Sequence, residues 1–318
     1  MTVSEEREML RDTVAALVAK HASPAAVRAA MDSERGYDES LWQLLCEQVG
    51  AAALVLPEEL GGAGGELADA ATVLQELGRA LVPSPLLGTT LAELALLAAA
   101  EPDAETLGSL AEGGSIGALV IDPDYVINGD VADVVVGVAD GQLTRWTRFT
   151  AQPVVTMDPT RRLAKLQPEE TESLGDDPGI ADAAAILLAA EQIGAAERCL
   201  DLTVEYAKNR VQFGRPIGSF QALKHRMADL YVTIAAARAV VNDACSEPSP
   251  TSAATARLAA TEALNIVAAE GIQLHGGIAI TWEHDMHLYF KRAHGSAHLL
   301  DSPSALLSRL EPQVLPAP

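Results

Sequence analysis

The chain has 318 residues, enough for two or three packed domains, and its 49% hydrophobic and 21% charged residues suit a folded protein better than a disordered one. A formal net charge of −22 argues against a general nucleic-acid binder and against docking on an anionic membrane, because both need a basic footprint. Cys46, Cys199 and Cys245 are too few and too far apart for a disulfide framework or a metal knuckle, and fit the reduced, buried thiols of a cytoplasmic protein.

The start, MTVSEEREMLRDTV, is charged throughout and does not read as a signal peptide. No apolar run is expected to span a membrane once the charged interruptions are marked. From Ser4 to about Gly113 the chain reads as helices. Leu10, Val14, Leu17 and Val18 recur at helical spacing, as do Leu41, Leu44, Leu45 and Val49. Pro57–Gly65, with four glycines, is the first strong loop. A helix through Thr72–Leu81 stops at Val82-Pro83-Ser84-Pro85.

Between Ser115 and Leu166 the pattern changes to short β-branched runs at Ala118–Ile121, Val134–Val138 and Val154–Thr156. Asp140-Gly141 is a hairpin-turn signature. The acidic stretch Gln167–Gly179 reads as a linker. Beyond it lie long helical segments, Ile180–Arg210, Ile217–Cys245, Ser252–Leu274 and Glu283–Leu300, with a short one from Ser304. Short breaks between them predict an antiparallel bundle. The chain thus divides into a helical domain (1–114), a reduced β domain with linker (115–178) and a helical bundle (179–318), mainly α overall.

The window Lys208–Arg226, KNRVQFGRPIGSFQALKHR, holds five lysines and arginines and no acidic residue. Its Phe-Gly turn places a guanidinium and backbone N–H groups beside a helix amino terminus, where an anion is favoured. A solvated inter-helix turn explains the same residues equally well. Gln273-Leu274-His275-Gly276-Gly277 ends the third bundle helix. Its glycines serve either as a carboxyl-terminal cap or as a close approach for a ligand, with Gln273 as an amide donor and acceptor.

Together, in this order, these motifs resemble the acyl-CoA dehydrogenase family. The resemblance runs nearly end to end, through PEELGGAG (Pro57–Gly64), QELGRALVPSP (Gln75–Pro85), MDPTRRLAKL (Met157–Leu166), RVQFGRPIGSFQ (Arg210–Gln221) and QLHGG (Gln273–Gly277). It implies an FAD cofactor and the α,β-desaturation of an acyl-CoA, with a carboxylate taking the α-proton. Carried over, Arg210, Phe213, Gln221, Gln273, Gly276 and Gly277 hold the tail of an FAD shared with a neighbouring subunit.

Two family features are missing. The flavin- and substrate-contacting turn at the start of the middle domain is reduced to a short turn near Ala118–Gly137. The usual glutamate positions are occupied by Leu300, next to Asp301, and by the stretch Ala181–Ala185, whose acidic residue is Asp182. Asp301, before Ser302-Pro303, is expected to cap a helix. Glu76 and Glu191 are expected in surface or inter-helix pairs. His284, His287, His294 and His298 are expected on one solvated or inter-subunit face, with no metal. The resemblance is to the shortened subunits of actinobacterial steroid-degradation type dehydrogenases, which pair with a full-length dehydrogenase subunit as α2β2. The rival expectations are a homotetramer using Asp301 or Asp182 as base, and an assembly subunit without flavin.

Overall fold

The structure, a computed structural model, describes residues 3–314. The amino-terminal part holds α1 (Val3–His21), α2 (Pro24–Met31), α3 (Glu39–Leu44), α4 (Leu67–Arg79), α5 (Leu86–Leu97) and α6 (Ala104–Ala111). Ser23 and Asp38 cap α2 and α3 through their side chains, satisfying orphan N–H groups. Helix α4 ends near Arg79, and Leu81 then takes a positive φ of 52° before the two prolines.

The sheet that follows has the order β1-β3-β4-β5-β2: β1 (Gly117–Val120), β2 (Val126–Ile127), β3 (Val134–Ala139), β4 (Gln142–Val154) and β5 (Leu163–Asp176). β1 and β3 are parallel and the other pairs antiparallel. Asp140 and Gly141, with φ of 52° and 73°, make the expected tight turn between β3 and β4.

The expected linker is corrected here. Gln167–Asp176 belongs to β5, which forms a long ribbon with β4 and is exposed on both faces from Gln167 to Ser173, and Val154 closes β4 instead of opening a strand. A strand without a buried face has no alternation to reveal it.

The bundle contains α7 (Ile180–Asn209), α8 (Gln221–Ser246), α9 (Pro250–His275), α10 (Met286–Ala297) and α11 (Pro303–Val314), with a two-residue hairpin pair, β6 (Val211–Gln212) and β7 (Arg215–Pro216), between α7 and α8. The expected second and fourth bundle helices start later than their apolar patterns suggested, because Ile217–Ser219 is a 3₁₀ turn and residues 283–285 form a turn before α10. One segment, Pro250–Ile280, is long and apolar enough to cross a membrane by length and composition, contrary to the sequence expectation. It is the inner helix of the bundle. Ala253, Ala256, Ala260 and Leu264 are buried, and Cys199 of α7 donates to Val267 O.

One apolar core joins the amino-terminal helices, β1, β3 and the bundle. Helices α4 and α7 cross in backbone contact. A Cβ on Gly194 would lie 1.8 Å from Gln75 O, and one on Gly78 would lie 2.2 Å from Glu191 O. Only glycine allows that approach, and it carries Glu191 into the interior.

All three cysteines are free, and burial pushes the thiols of Cys46 and Cys199 up to about 12. Glu93, on the otherwise apolar α5, is wholly buried with neither carboxyl oxygen hydrogen-bonded. Burial raises its pKa well above the ordinary 4.5. The proton is therefore held more tightly in the folded chain, so stability falls as pH rises above 4.5 toward the folded value. Glu93→Leu should add about 1–3 kcal/mol at pH 8 and less at pH 5, read from denaturant midpoints. Equal gains at both pH values would show that the carboxyl is not held neutral.

Candidate functional site

Helix α7 ends at Asn209, and Arg210 turns extended, with φ −76° and ψ 119°. The next residues fold back as the β6–β7 hairpin, whose turn residues Phe213 and Gly214 both have positive φ, 54° and 76°. A left-handed phenylalanine is costly. The turn nonetheless pushes the ring outward, 90% exposed. Arg215 lies 3.9 Å above the Phe220 ring, which Phe213 meets edge-on. Helix α8 opens at Gln221 without a side-chain cap, leaving its first N–H groups directed outward.

Arg226 is neutralised by Glu270 of α9 at 2.8 Å. Lys208, Arg210, Arg215 and Lys224 have no ion-pair partner among the described residues. On a chain of net charge −22 this is an exposed, uncompensated cationic turn.

The second motif lies at the same end of the bundle. Tyr206, one turn before Arg210, stacks on His275 at 4.4 Å. Gln273, Gly276 and Gly277 are exposed, and a Cβ on either glycine would meet nothing within 4 Å. Gly276 has φ 70° and ψ −149°, a conformation essentially reserved for glycine. The helix end thus explains Gly276, while Gly277 keeps open space before it.

These residues fit the diphosphate tail of an FAD. They offer unpaired guanidinium and ammonium groups, outward N–H groups, an exposed aromatic ring and a backbone face without side chains.

A different picture holds where the three parts of the chain meet. Arg292 of α10 donates from Nε to Asp158 at 2.7 Å and from Nη2 to Thr160 O at 3.0 Å, and also bonds Glu191. Arg161 pairs with the same Glu191 oxygen, and Asp158 Oδ1 accepts from Thr160 N at 3.0 Å. All four charged side chains are buried.

Burial works against the Arg292 charge, but Asp158 and Glu191 outweigh it and hold its pKa above the usual value. For Arg161 burial wins over Glu191 and lowers the pKa. Beside them the fully buried Arg257 donates to Gln192 Oε1 at 2.6 Å and to carbonyls ending α10. Burial, then Arg161, lowers its pKa to about 10. The space left at this junction, bordered by Leu74, Pro83, Ile127, Thr160, Glu191 and Arg292, is about 20 Å3. That suffices for a water molecule, not for an isoalloxazine ring.

The candidate carboxylates fall elsewhere. Asp182 and Asp301 converge on one arginine of α11. Arg309 bonds Asp182 and lies 3.7 Å from Asp301. Asp301 is not the helix cap expected from sequence. Ser302 caps α11, accepting from Ala305 N at 3.2 Å, while Asp301 accepts from Ser302 N.

Two further expectations are corrected. Glu191 does form an inter-helix pair, with Arg292 of α10, but Glu76 is buried without any hydrogen-bond or ion-pair partner among the described residues. The histidines do not form one solvated face, and His284 lies before α10. His287 is buried with Nε2 unpaired, His284 packs on His275, and His294 and His298 are exposed. No group of three or more His, Cys, Asp or Glu able to hold a metal occurs among the described residues. Arg292 and Arg309 were missed as organisers, since nothing local marks their partners.

Residues 4–113 match the family model for the acyl-CoA dehydrogenase N-terminal domain, and residues 179–298 match that for the C-terminal domain. The chain is 82% identical over 318 residues to acyl-CoA dehydrogenase IpdE2 of Mycobacterium tuberculosis (strain ATCC 25618 / H37Rv), covering all of both chains. Among solved structures, the ChsE4-ChsE5 complex from Mycobacterium tuberculosis superposes with TM-score 0.89 at 25% identity over 100% of this chain and 99% of that one. The steroid ACAD Tcur3481-Tcur3483 does so with TM-score 0.88 at 27% identity over 98% of each. A cationic turn suited to an FAD tail, on this sequence of helices, sheet and bundle, agrees with those matches: the chain belongs to the FAD-dependent acyl-CoA dehydrogenase family.

Proposed function

We propose that this dehydrogenase subunit works in a heteromeric α2β2 assembly with a full-length acyl-CoA dehydrogenase subunit, holding the tail of the partner's FAD and supplying no catalytic base. The observation that carries the reading is a contrast. The Arg210 turn is open and uncompensated, while the junction of the three parts is filled by its own ion cluster to about 20 Å3. FAD, when bound, supplies the hydride acceptor for α,β-desaturation of a CoA thioester.

In this chain, Arg210 offers the diphosphate a planar fork of donors, and the first N–H groups of α8, from Gln221, add dipolar support. Phe213 offers a ring face for stacking, and Gln273 beside Gly276 and Gly277 a polar, unobstructed edge. The likeness to the steroid ACAD Tcur3481-Tcur3483 supports a steroid-derived acyl group, and three free cysteines support operation in a reducing compartment such as the cytoplasm.

A base must be free and sit in an apolar setting beside the thioester. Asp182 and Asp301 instead share Arg309 at a partly exposed site, which disfavours the self-sufficient homotetramer. A flavin-free assembly subunit would have no use for an uncompensated cationic turn.

In the active complex, Asp301→Asn and Asp182→Asn should each change kcat less than about tenfold, with unchanged flavin content. A loss of several orders of magnitude at constant flavin would identify that aspartate as the base.

A further inference from the structure

A cleft of about 440 Å3 lies between α1, α2, the end of α4, α7 and the start of α10, and shares no lining residue with the Phe213 turn or the Arg292 junction. Ala15, Val18, Ala19 and Val27 line it from the first two helices, and Leu81 and Leu202 from the α4 exit and α7. Most charges around it are compensated. Arg79 pairs with Glu197 and Asp201, and Asp285 with Arg28. Two polar side chains are not. Glu76 is only 9% exposed and Arg198 is half-buried, and neither has a hydrogen-bond or ion-pair partner among the described residues.

We propose that this cleft binds an amphipathic monocarboxylate, with its carboxylate on Arg198 and its aliphatic body along α1. The volume falls in the range of small-molecule sites, which combine apolar walls with a few convergent polar groups. An uncompensated guanidinium selects an anion, and a planar carboxylate matches its fork. The aliphatic walls select an apolar body over a bare inorganic anion. Burial raises the Glu76 pKa, which weakens that carboxylate's opposition to an anion in the cleft.

Calorimetric titration of the full chain with octanoate, with octanol and octylamine for comparison, tests this independently of flavin and of activity. One octanoate per chain is expected, with octanol at least about tenfold weaker and octylamine without binding. Arg198→Gln should weaken octanoate by about ten- to a hundredfold without lowering the thermal midpoint, and Ala19→Trp should block the cleft. Equal affinity for octanol and octanoate, or an Arg198→Gln chain that binds as before, would overturn the carboxylate assignment. Preference for octylamine would make Glu76 the anchor and overturn it too. Absence of binding by any of the three to the folded chain would overturn the site itself. Should Ala19→Trp fail to fold, Arg198→Gln, at a partly exposed position, still decides the question.

Discussion

Arg210→Ala should strip flavin from the assembled enzyme while leaving the bundle intact. Arg210 is exposed, has no ion-pair partner among the described residues, and sits on a turn with no acidic neighbour in sequence. A charge-assisted bond to a phosphate contributes about 1.5–3 kcal/mol, so flavin retention should weaken roughly ten- to a hundredfold. Arg210→Lys should restore part of it, because an ammonium keeps the charge and loses the fork. The measurement is flavin per complex for wild type, Ala and Lys, with the partner unchanged. Equal flavin with a slow Ala variant would place Arg210 on substrate instead. Three indistinguishable proteins would make the turn an ordinary solvated loop.

Arg292→Met should be the most damaging single change to stability. Arg292 compensates Asp158 and shares Glu191 with Arg161, all buried, so its loss leaves carboxylate charge uncompensated in the interior. Breaking one side of such a network costs about 3–5 kcal/mol. Arg292→Lys should recover only part, since one ammonium cannot reach Asp158, Thr160 and Glu191 as the fork does. Denaturant midpoints of the full chain measure both. A loss under about 1 kcal/mol for the Met variant would show that the cluster does not bind the three parts together.

What the sequence disclosed and what it hid divide along physical lines. The helices were legible because a core-facing stripe repeats at helical spacing, and the β3–β4 turn because Asp-Gly suits two left-handed residues. The cationic turn was legible because its residues are adjacent in the chain and lack acidic neighbours.

Strand β5 beyond Leu166 was hidden by its own polarity, since both of its faces meet water from Gln167 to Ser173. The junction was hidden by distance. Arg292 meets Asp158 across 134 residues and Glu191 across 101, and no local pattern encodes such a meeting. Glu191 and Glu76 were therefore legible only as carboxylates of surface or inter-helix pairs, while Gly78 and Gly194 sit at the close crossing that carries Glu191 inward. Asp182 and Asp301 looked like separate candidate bases until one arginine, Arg309, was found between them. Glu93 did leave a signal, a lone carboxylate in the apolar run LLGTTLAELALL.

The dependence of this chain on a partner is tested most directly by the visible absorption spectrum of the chain, purified alone and then co-purified with a full-length acyl-CoA dehydrogenase subunit. The expected result is little or no flavin absorption and no acyl-CoA oxidation from the isolated chain, with both appearing in the complex. Stoichiometric FAD with turnover in the isolated chain would contradict it, and would establish a self-sufficient enzyme.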